Sequence, residues 1–553
     1  MDVCDRGNFM KDRIISIIKC FILLAIVAAL FVTAKNGNIE QGITNSSSKL
    51  VIFGDNIDKK YSPFVEDGKV YISLDTIESF IDEDIFYDVH KQKIIITNEE
   101  AVYKFKINDN KPTKNLVEYT TETTAKVVNN EPYIEMSLIK DIYNIKSEYD
   151  EETNTISIDK KDFSDLHLNY NDVKVYSTLN TNSQIIETLN KNNTVIVYVD
   201  SLKHNRWYKI KSDSGKVGYI EKSAVTLKSE TDTEEENNET VAQEKLIMFW
   251  QYGSNTDTLG DKIEGVNVVM PTWFAVSNSQ GAVEINYDRA YYQKAKSNGY
   301  ELWPIITNGL DNLEIDKKAV TSEIMNNEES RENLIRNISG LIEEYKLDGI
   351  NIDFEGMKEE DKYLYTQFLR ELYPIVKSKG AKLSVDIYFT NYIDRKGVGK
   401  ACDYVMLMGY DQRGNWSDEA GSIAEVSWVD KNINSLIQDS QIEPSKIILG
   451  VPFYTRLWNI KSDGTITTNV YSMKNSADFV SKYGLTPTLD EVAGQNYVEM
   501  TSGNTTYKLW IEDATSISNR ADIVTKYNLA GITAWQKGFE TEDIWQVLRE
   551  KLK

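Results

Sequence analysis

The sequence predicts a multidomain chain that ends in a (β/α)8 TIM barrel. From about Leu246 onward, apolar runs of strand length alternate with amphipathic helical stretches, and eight such runs follow in order. Between about Lys49 and Lys160 a gap-free internal repeat predicts a separate α+β repeat domain. Between about Leu166 and Leu227, short alternating runs broken by turn residues predict a small β barrel.

The chain of 553 residues is too long for one ordinary domain, and 41% hydrophobic residues suffice for real cores. A net charge of −23 argues against nucleic acid and against anionic lipid headgroups as partners, because such a surface repels them. Of three cysteines, Cys4 and Cys20 lie in or before an apolar N-terminal segment, leaving Cys402 as core filler beside a strand. No disulfide framework and no cysteine-ligated zinc follow from that count.

Residues 1–35 hold the apolar segment, Ile14 to Ala34, interrupted once at Lys19 and preceded by Lys11 and Arg13. It is long enough to span a membrane with the N-terminus inside. Val32-Thr33-Ala34 is also an acceptable cleavage site, so signal peptide and membrane anchor both stay open. Either way the bulk of the protein is expected outside the cytoplasm, secreted or anchored at the cell envelope.

Within 49–160, YISLDTIESF (Tyr71 to Phe80) matches YIEMSLIKDI (Tyr133 to Ile142) at a shift of 62. The same shift pairs Tyr87-Asp88 with Tyr149-Asp150, and Ile94 and Ile96 with Ile156 and Ile158. Each half reads as a short strand, an amphipathic helix and a hairpin. This two-repeat segment resembles the copper amine oxidase N-terminal-like domain. A copper site is not expected, since its one histidine is His90. In 166–227, Trp207-Tyr208-Lys209-Ile210 and Gly215 to Ile220 resemble the bacterial SH3-like domain, whose members commonly bind cell-wall peptides; Trp207 and Tyr219 serve equally well as core aromatics. Residues 228–245 are acidic and aperiodic and read as a solvated linker.

The barrel region, 246–553, supplies its strands as KLIMFWQY, VNVVMPTWF, ELWPIIT, GINIDFEG, KLSVDIYF, YVMLMGYD, KIILGVPFY and GITAWQKG, with helices such as Lys362 to Gly380 between them. A stretch from about Trp458 to Ala530, containing TYKLWIED, predicts a small α+β insertion walling one side of a groove. In GINIDFEG the period of two sends Ile350, Ile352 and Phe354 one way and Asn351, Asp353 and Glu355 the other. Neither face of a barrel strand is wet along its length, so carboxylates near its C-terminal end belong to the mouth, where barrel enzymes work. Two carboxylates about 7 Å apart on one strand face are costly to bury without partners.

The three histidines, His90, His167 and His204, all precede the barrel, which excludes a Ser-His-Asp triad and a histidine-ligated zinc there. No GxxxxGK[ST] loop offers a phosphate cradle. Carboxylate chemistry with aromatic walls remains, with Trp250, Trp273, Trp303, Trp416, Trp458, Trp510 and Trp535 at strand ends or in the loops after them.

DGINIDFEG, Asp348 to Gly356, resembles the fourth-strand signature DGxDxDxE of glycoside hydrolase family 18. MGYD (Met408 to Asp411), LGVPFYTRLW (Leu449 to Trp458) and Trp535 extend the resemblance over the whole barrel. It implies a retaining, substrate-assisted mechanism without a metal or other cofactor: Glu355 as general acid, Asp353 orienting the 2-acetamido group, and Tyr410 hydrogen-bonding it. Asp411 and Met408 would help place the sugar and Trp535 would floor it, with Tyr252, Tyr454 and Arg456 as groove contacts. Asn351 stands where the family often has Asp; it is expected to hydrogen-bond Asp353, and it places the chain near bacterial spore-cortex and cell-wall N-acetylglucosaminidases.

The resemblance therefore implies an exported hydrolase of β-1,4-linked N-acetylglucosamine glycans, with peptidoglycan or cortex preferred and chitin or chitooligosaccharide as the alternative. A catalytically inactive glycan-binding envelope protein on the same barrel is the alternative of another class. The presence of Glu355, Asp353 and Tyr410 argues against it.

Overall fold

The structure, a computed structural model, describes residues 48–160, 164–191, 193, 195–198, 206–227, 244–309 and 316–553. The expected export segment and nearly all of the expected acidic linker lie outside the described residues. Among the described residues no helix is long and apolar enough to cross a membrane.

The described residues gather in two compact units, one holding the chain up to Ser73 together with Ile139–Leu227, the other Leu74–Leu138 together with the chain beyond Leu227. In the first unit, Lys49–Ile52 lies parallel to Thr155–Lys160, which pairs antiparallel with Ile145–Asp150. The repeat isoleucines Ile156 and Ile158 are buried there. The same unit holds a seven-stranded antiparallel sheet between Ser164 and Leu227. Trp207 is buried and meets Tyr176 edge-on at 5.7 Å, whereas Tyr219 is half-buried. Of the two readings open for Trp207, the core reading is the one its burial supports.

The second unit opens with the helix Leu74–Phe80 and continues with a five-stranded antiparallel sheet, Phe86–Asp88, Lys93–Thr97, Val102–Lys106, Thr113–Lys114 and Val117–Glu118. Its Ile95 and Val102 belong to the same apolar core as the barrel.

Eight parallel strands close the barrel: β1 Leu246–Gln251, β2 Val268–Val276, β3 Ile305–Thr307, β4 Gly349–Asp353, β5 Lys382–Ile387, β6 Tyr404–Met408, β7 Ile447–Pro452 and β8 Gly531–Trp535. β8 pairs with β7 on one side and β1 on the other, and β1 pairs with β2, so no edge remains. All eight predicted runs fall on these strands. Every residue of β7 is buried, as a strand covered on both faces requires. At the foot of β4 the backbone runs so close to Trp303 that a Cβ on Gly349 would stand 2.6 Å from Trp303 Cγ, which admits only glycine. Asp348, just before it, accepts a 2.8 Å bond from the Leu302 N–H and ties β4 to its neighbour.

The helices used below are α1 Lys317–Asn326, α2 Glu328–Tyr345 and α3 Lys362–Ser378. The α2 start is fixed by Asn327, whose side chain accepts from the N–H groups of Glu329 and Ser330. The insertion after β7 is a five-stranded antiparallel sheet with one helix, Met473–Tyr483. It begins at Tyr454, earlier than the expected Trp458, and its last strand ends at Ile511. The helix Ala514–Tyr527 that follows belongs to the barrel, because Ile517, Ala521 and Val524 join the barrel core.

Candidate active site

The C-terminal ends of the barrel strands enclose a cavity of about 190 Å³. Four carboxylates line it: Asp353 and Glu355 from the end of β4, Asp386 from β5 and Asp411 from just after β6. Trp250, Ile305, Met408 and Trp535, with the phenols Tyr388, Tyr410 and Tyr454, complete the wall. Acids on one side and aromatic faces on the other suit a sugar, which offers hydroxyls at its rim and C–H bonds on its faces.

The alternation of GINIDFEG works as predicted. Ile350, Ile352 and Phe354 are buried in the core shared with the helices, and Asp353 and Glu355 reach the cavity. Phe354 stacks on Tyr365 and Phe368 of α3 at 5.9 Å each, which anchors the strand end. The Glu355 peptide is gripped by Asn308, which follows β3. Its Oδ1 accepts the Glu355 N–H at 3.2 Å and its Nδ2 donates to the Glu355 carbonyl at 2.8 Å. Asn308 is buried and donates also to Thr321 of α1 at 3.0 Å, so the grip is itself held.

Asp353 is half-buried as a residue, but its Oδ1 is sealed from water and lacks a hydrogen-bond donor. Burial first, and the Glu355 charge second, push its carboxyl up to about 8, with Lys317 acting the other way. Asp386 is only 4% exposed. Burial and then the Asp353 charge hold it well above the usual carboxylate range, opposed by the Asn351 amide and by the indole N–H of Trp250. Burial also raises Asp411, although the Tyr454 hydroxyl donates to its Oδ1 at 2.8 Å and Arg456 Nη2 lies 3.9 Å from the same oxygen. Burial keeps Tyr410 and Tyr388 protonated, hence available as donors. Tyr410 is wedged edge-on among Trp250, Tyr388 and Tyr454, with ring centroids 6.0–6.4 Å apart. Trp535 leans on Trp250 at 6.4 Å.

Of the residues singled out from the sequence, Glu355, Asp353, Tyr410, Asp411, Met408, Tyr454 and Trp535 meet at this cavity. Tyr252 and Arg456 are not in its wall. Tyr252 is 66% exposed, with its backbone N–H bonded to Gln536 Oε1 at 3.1 Å. Arg456 sits behind Asp411 with its guanidinium 5.8 Å from the Trp416 ring. Asn351 is fully buried and is not a groove contact. Its Nδ2 donates to Asp386 Oδ2 at 2.6 Å and its Oδ1 accepts from Ser384 at 2.6 Å. The expected bond to Asp353 is therefore replaced by one to the neighbouring strand. Four of the seven tryptophans, Trp250, Trp273, Trp303 and Trp458, are buried packing, and among them Trp250 also lines the cavity.

Sequence reasoning missed Asp386, Tyr388 and Asn308. The first two carried a signal, since VDIYF places Asp386 and Tyr388 two apart at a strand end, as in β4. Asn308 lies in a loop whose partner is a backbone peptide, which leaves no pattern.

Comparison with known proteins gives three family matches: Glycosyl hydrolases family 18 at residues 314–540, Copper amine oxidase N-terminal domain at 51–158 and Bacterial SH3 domain at 171–226. The chain is 24% identical over 272 residues to the Bacillus subtilis (strain 168) uncharacterized glycosylase YvbX, covering 47% of this chain and 77% of that protein. It is 25% identical over 245 residues to the Bacillus anthracis cortical fragment-lytic enzyme, 42% of this chain and 56% of the relative. With human di-N-acetylchitobiase it shares 25% over 257 residues, 37% of this chain and 64% of the relative. Among solved structures, a chitinase from Chromobacterium violaceum ATCC 12472 superposes with a TM-score of 0.51 at 19% identity, over 56% of this chain and 99% of that one. The Bacillus megaterium QM B1551 spore cortex-lytic enzyme SleL gives 0.50 at 19% identity, over 56% and 75%. These likenesses show the barrel fold. The chain thus carries a glycosyl hydrolase family 18 domain, preceded in sequence by a copper amine oxidase N-terminal domain and a bacterial SH3 domain.

Proposed function

We propose that this chain is an exported, retaining glycoside hydrolase that cleaves β-1,4-linked N-acetylglucosamine glycans, with peptidoglycan or spore cortex as its polymer. The observation that carries this reading is the convergence of Asp353, Glu355, Tyr410 and Trp535 on one sugar-sized cavity at the barrel mouth.

Glu355 protonates the glycosidic oxygen, and after the leaving sugar departs it accepts a proton from water. The enzyme supplies no nucleophile. The acetamido carbonyl of the bound sugar attacks its own anomeric carbon, the substrate-assisted exception among glycosidases. The Asp353 carboxylate orients the acetamido group and faces the positive charge that forms. Tyr410, kept protonated by burial, donates to the attacking carbonyl. Met408 and Trp535 give the apolar floor.

Preference for a cell-wall polymer rests on the similarity to the cortical fragment-lytic enzyme and on the SH3 domain. Those same similarities support a location outside the cytoplasm or at the envelope, with the N-terminal segment as signal or anchor. Cell-wall binding by the SH3 domain would fall to its exposed residues, since Trp207 is buried. The similarity to di-N-acetylchitobiase favours a second reading, hydrolysis of chitooligosaccharides.

Mass spectrometry of products from cortex fragments, muropeptides and chitooligosaccharides separates the two readings. Glu355→Gln is expected to lower kcat by about 10²–10⁴ while sugar binding persists. Equal turnover by variant and parent would sink the role of Glu355.

A further inference from the structure

Asp353 and Asp386 stand side by side. β4 and β5 run parallel with Asn351 opposite Ser384 and Ile352 opposite Val385, which brings Asp353 level with Asp386 on the next strand. Neighbouring strands are about 4.8 Å apart, and both side chains enter the same cavity. Each carboxyl has one buried oxygen, Asp353 Oδ1 and Asp386 Oδ1, with no partner in hydrogen-bond geometry, although the Trp250 indole N–H lies near enough to favour the Asp386 charge. The other Asp386 oxygen is already taken by the Asn351 amide.

The charged and titratable groups around the pair come from every element packed on it. Glu355 lies two residues beyond Asp353 on the same strand, Tyr388 two beyond Asp386, Tyr410 follows β6, and Tyr365 of α3 feels both carboxyls. Lys317 of α1 acts on Asp353. Two ionised carboxylates at that spacing, sealed from water, repel strongly, whereas one shared proton gives each orphaned oxygen a partner.

We propose that Asp386 is a positioning residue for Asp353: the two carboxyls share one proton, held on Asp386 and donated as O–H to Asp353. The pair carries one negative charge throughout. Asp353 stays the anion that orients the acetamido group, and no proton is gained or lost by the pair over a cycle. Asn351 makes this possible by being an amide. An Asp at 351 would put a further carboxylate against Asp386, whereas the Asn351 N–H fixes the Asp386 rotamer. The burial of both carboxyls and the mutual rise of their titration ranges agree with a shared proton.

The inference rests on the hydrolase reading above, and the test separates the two. With the full chain and spore-cortex fragments or chitooligosaccharides as probe, whichever the parent cleaves, the parent must turn over; no turnover of either by the parent overturns the hydrolase reading and this inference with it. In Asp386→Asn, kcat is expected to fall about tenfold with KM within about twofold, and the basic limb of the kcat/KM–pH profile to move by about one pH unit, a tenfold change in protonation equilibrium. The double variant Asn351→Asp/Asp386→Asn keeps one carboxyl and one amide in the same contact but moves the carboxyl to β4, the strand that carries Asp353. It is expected to recover most of the loss and the parent profile. Circular dichroism and thermal melting check that each variant folds. If a folded Asp386→Asn keeps the parent's kcat and pH profile, the inference fails. It fails equally if Asp386→Asn loses activity with an unmoved profile that the double variant does not repair, for that is a merely structural loss.

Discussion

Lys104 Nζ lies 2.9 Å from a Glu371 carboxylate oxygen, with 4% of the lysine side chain and none of the glutamate side chain reaching water. The same ammonium is 3.0 Å from Glu328 and 3.2 Å from Glu332 of α2. Lys104 belongs to the five-stranded sheet and Glu371 to α3, so this sheet is ionically keyed to the barrel's helical shell. Burial is the largest effect on these charges and works against them, but Lys104 together with Lys93 at Glu328 and Arg336 at Glu332 outweighs it and holds both carboxylates below the usual range. A buried pair is costly to break because the survivor stays charged and desolvated. Lys104→Met is therefore expected to cost about 3–5 kcal/mol in urea unfolding. A loss below about 1 kcal/mol, the value of an exposed pair, would contradict this picture.

The same contact bears on where the chain can be cut. A fragment 246–553 keeps the barrel but exposes the apolar surface that Ile95 and Val102 cover, and leaves Glu328 and Glu371 without Lys104. It should unfold at distinctly lower urea than the full chain. Equal midpoints would mean the sheet contributes nothing to the barrel.

Asn308 holds both sides of the Glu355 peptide. Asn308→Ala removes the two hydrogen bonds and leaves the carboxylate chemically intact. A displacement of about 1 Å at a reacting group is worth roughly 10²-fold, so kcat should fall by about 10- to 100-fold while sugar affinity changes little. Unchanged kinetics would show that Phe354 stacking alone places Glu355.

Burial and the Glu355 charge hold one proton on the coupled Asp353–Asp386 pair up to about 8. The unfolded chain releases the same proton near 4. Above that value the unfolded state gains ionisation that the folded state resists, so the native state loses stability as pH rises from about 4 to about 8. Asp353→Asn removes this loss. The variant is expected to be more stable than the parent by about 1–3 kcal/mol at pH 8 and to lose that advantage at pH 4, while hydrolysis collapses. Parallel stability curves for the two proteins across this range would refute the assignment.

Tyr454→Phe deletes the hydroxyl that donates to Asp411 at 2.8 Å. Asp411 is already raised by burial, and losing a donor that favours its charge raises it further. A hydrogen bond to a charged group is worth about 1.5–3 kcal/mol. The expected result is a fall of about tenfold or more in kcat/KM at pH 6, milder at pH 8. A pH-independent change would assign Tyr454 to packing alone.

The barrel was legible because its strands are covered on both faces and so write unbroken apolar runs, as in β7. The departure of β4 from that rule marked its carboxylates. The insertion start at Tyr454 was less legible, since β7 runs into the insertion strand after Phe453 with no turn residue between them. Asn351 could be read as polar and inward, but not as bonded across to β5, because two partners at similar range are open to a buried amide. The Lys104 cluster left no trace either: a lysine in a five-residue strand reads as surface, and its partners stand more than 200 positions away.

That separation has a consequence during synthesis. Lys104 leaves the ribosome 224 residues ahead of Glu328. At about 5–20 residues per second, the small sheet must wait on the order of 10–45 seconds for the helices that neutralise and cover it. During that interval the nascent chain exposes Ile95 and Val102, and a holding chaperone that shields them should raise the yield of the finished protein.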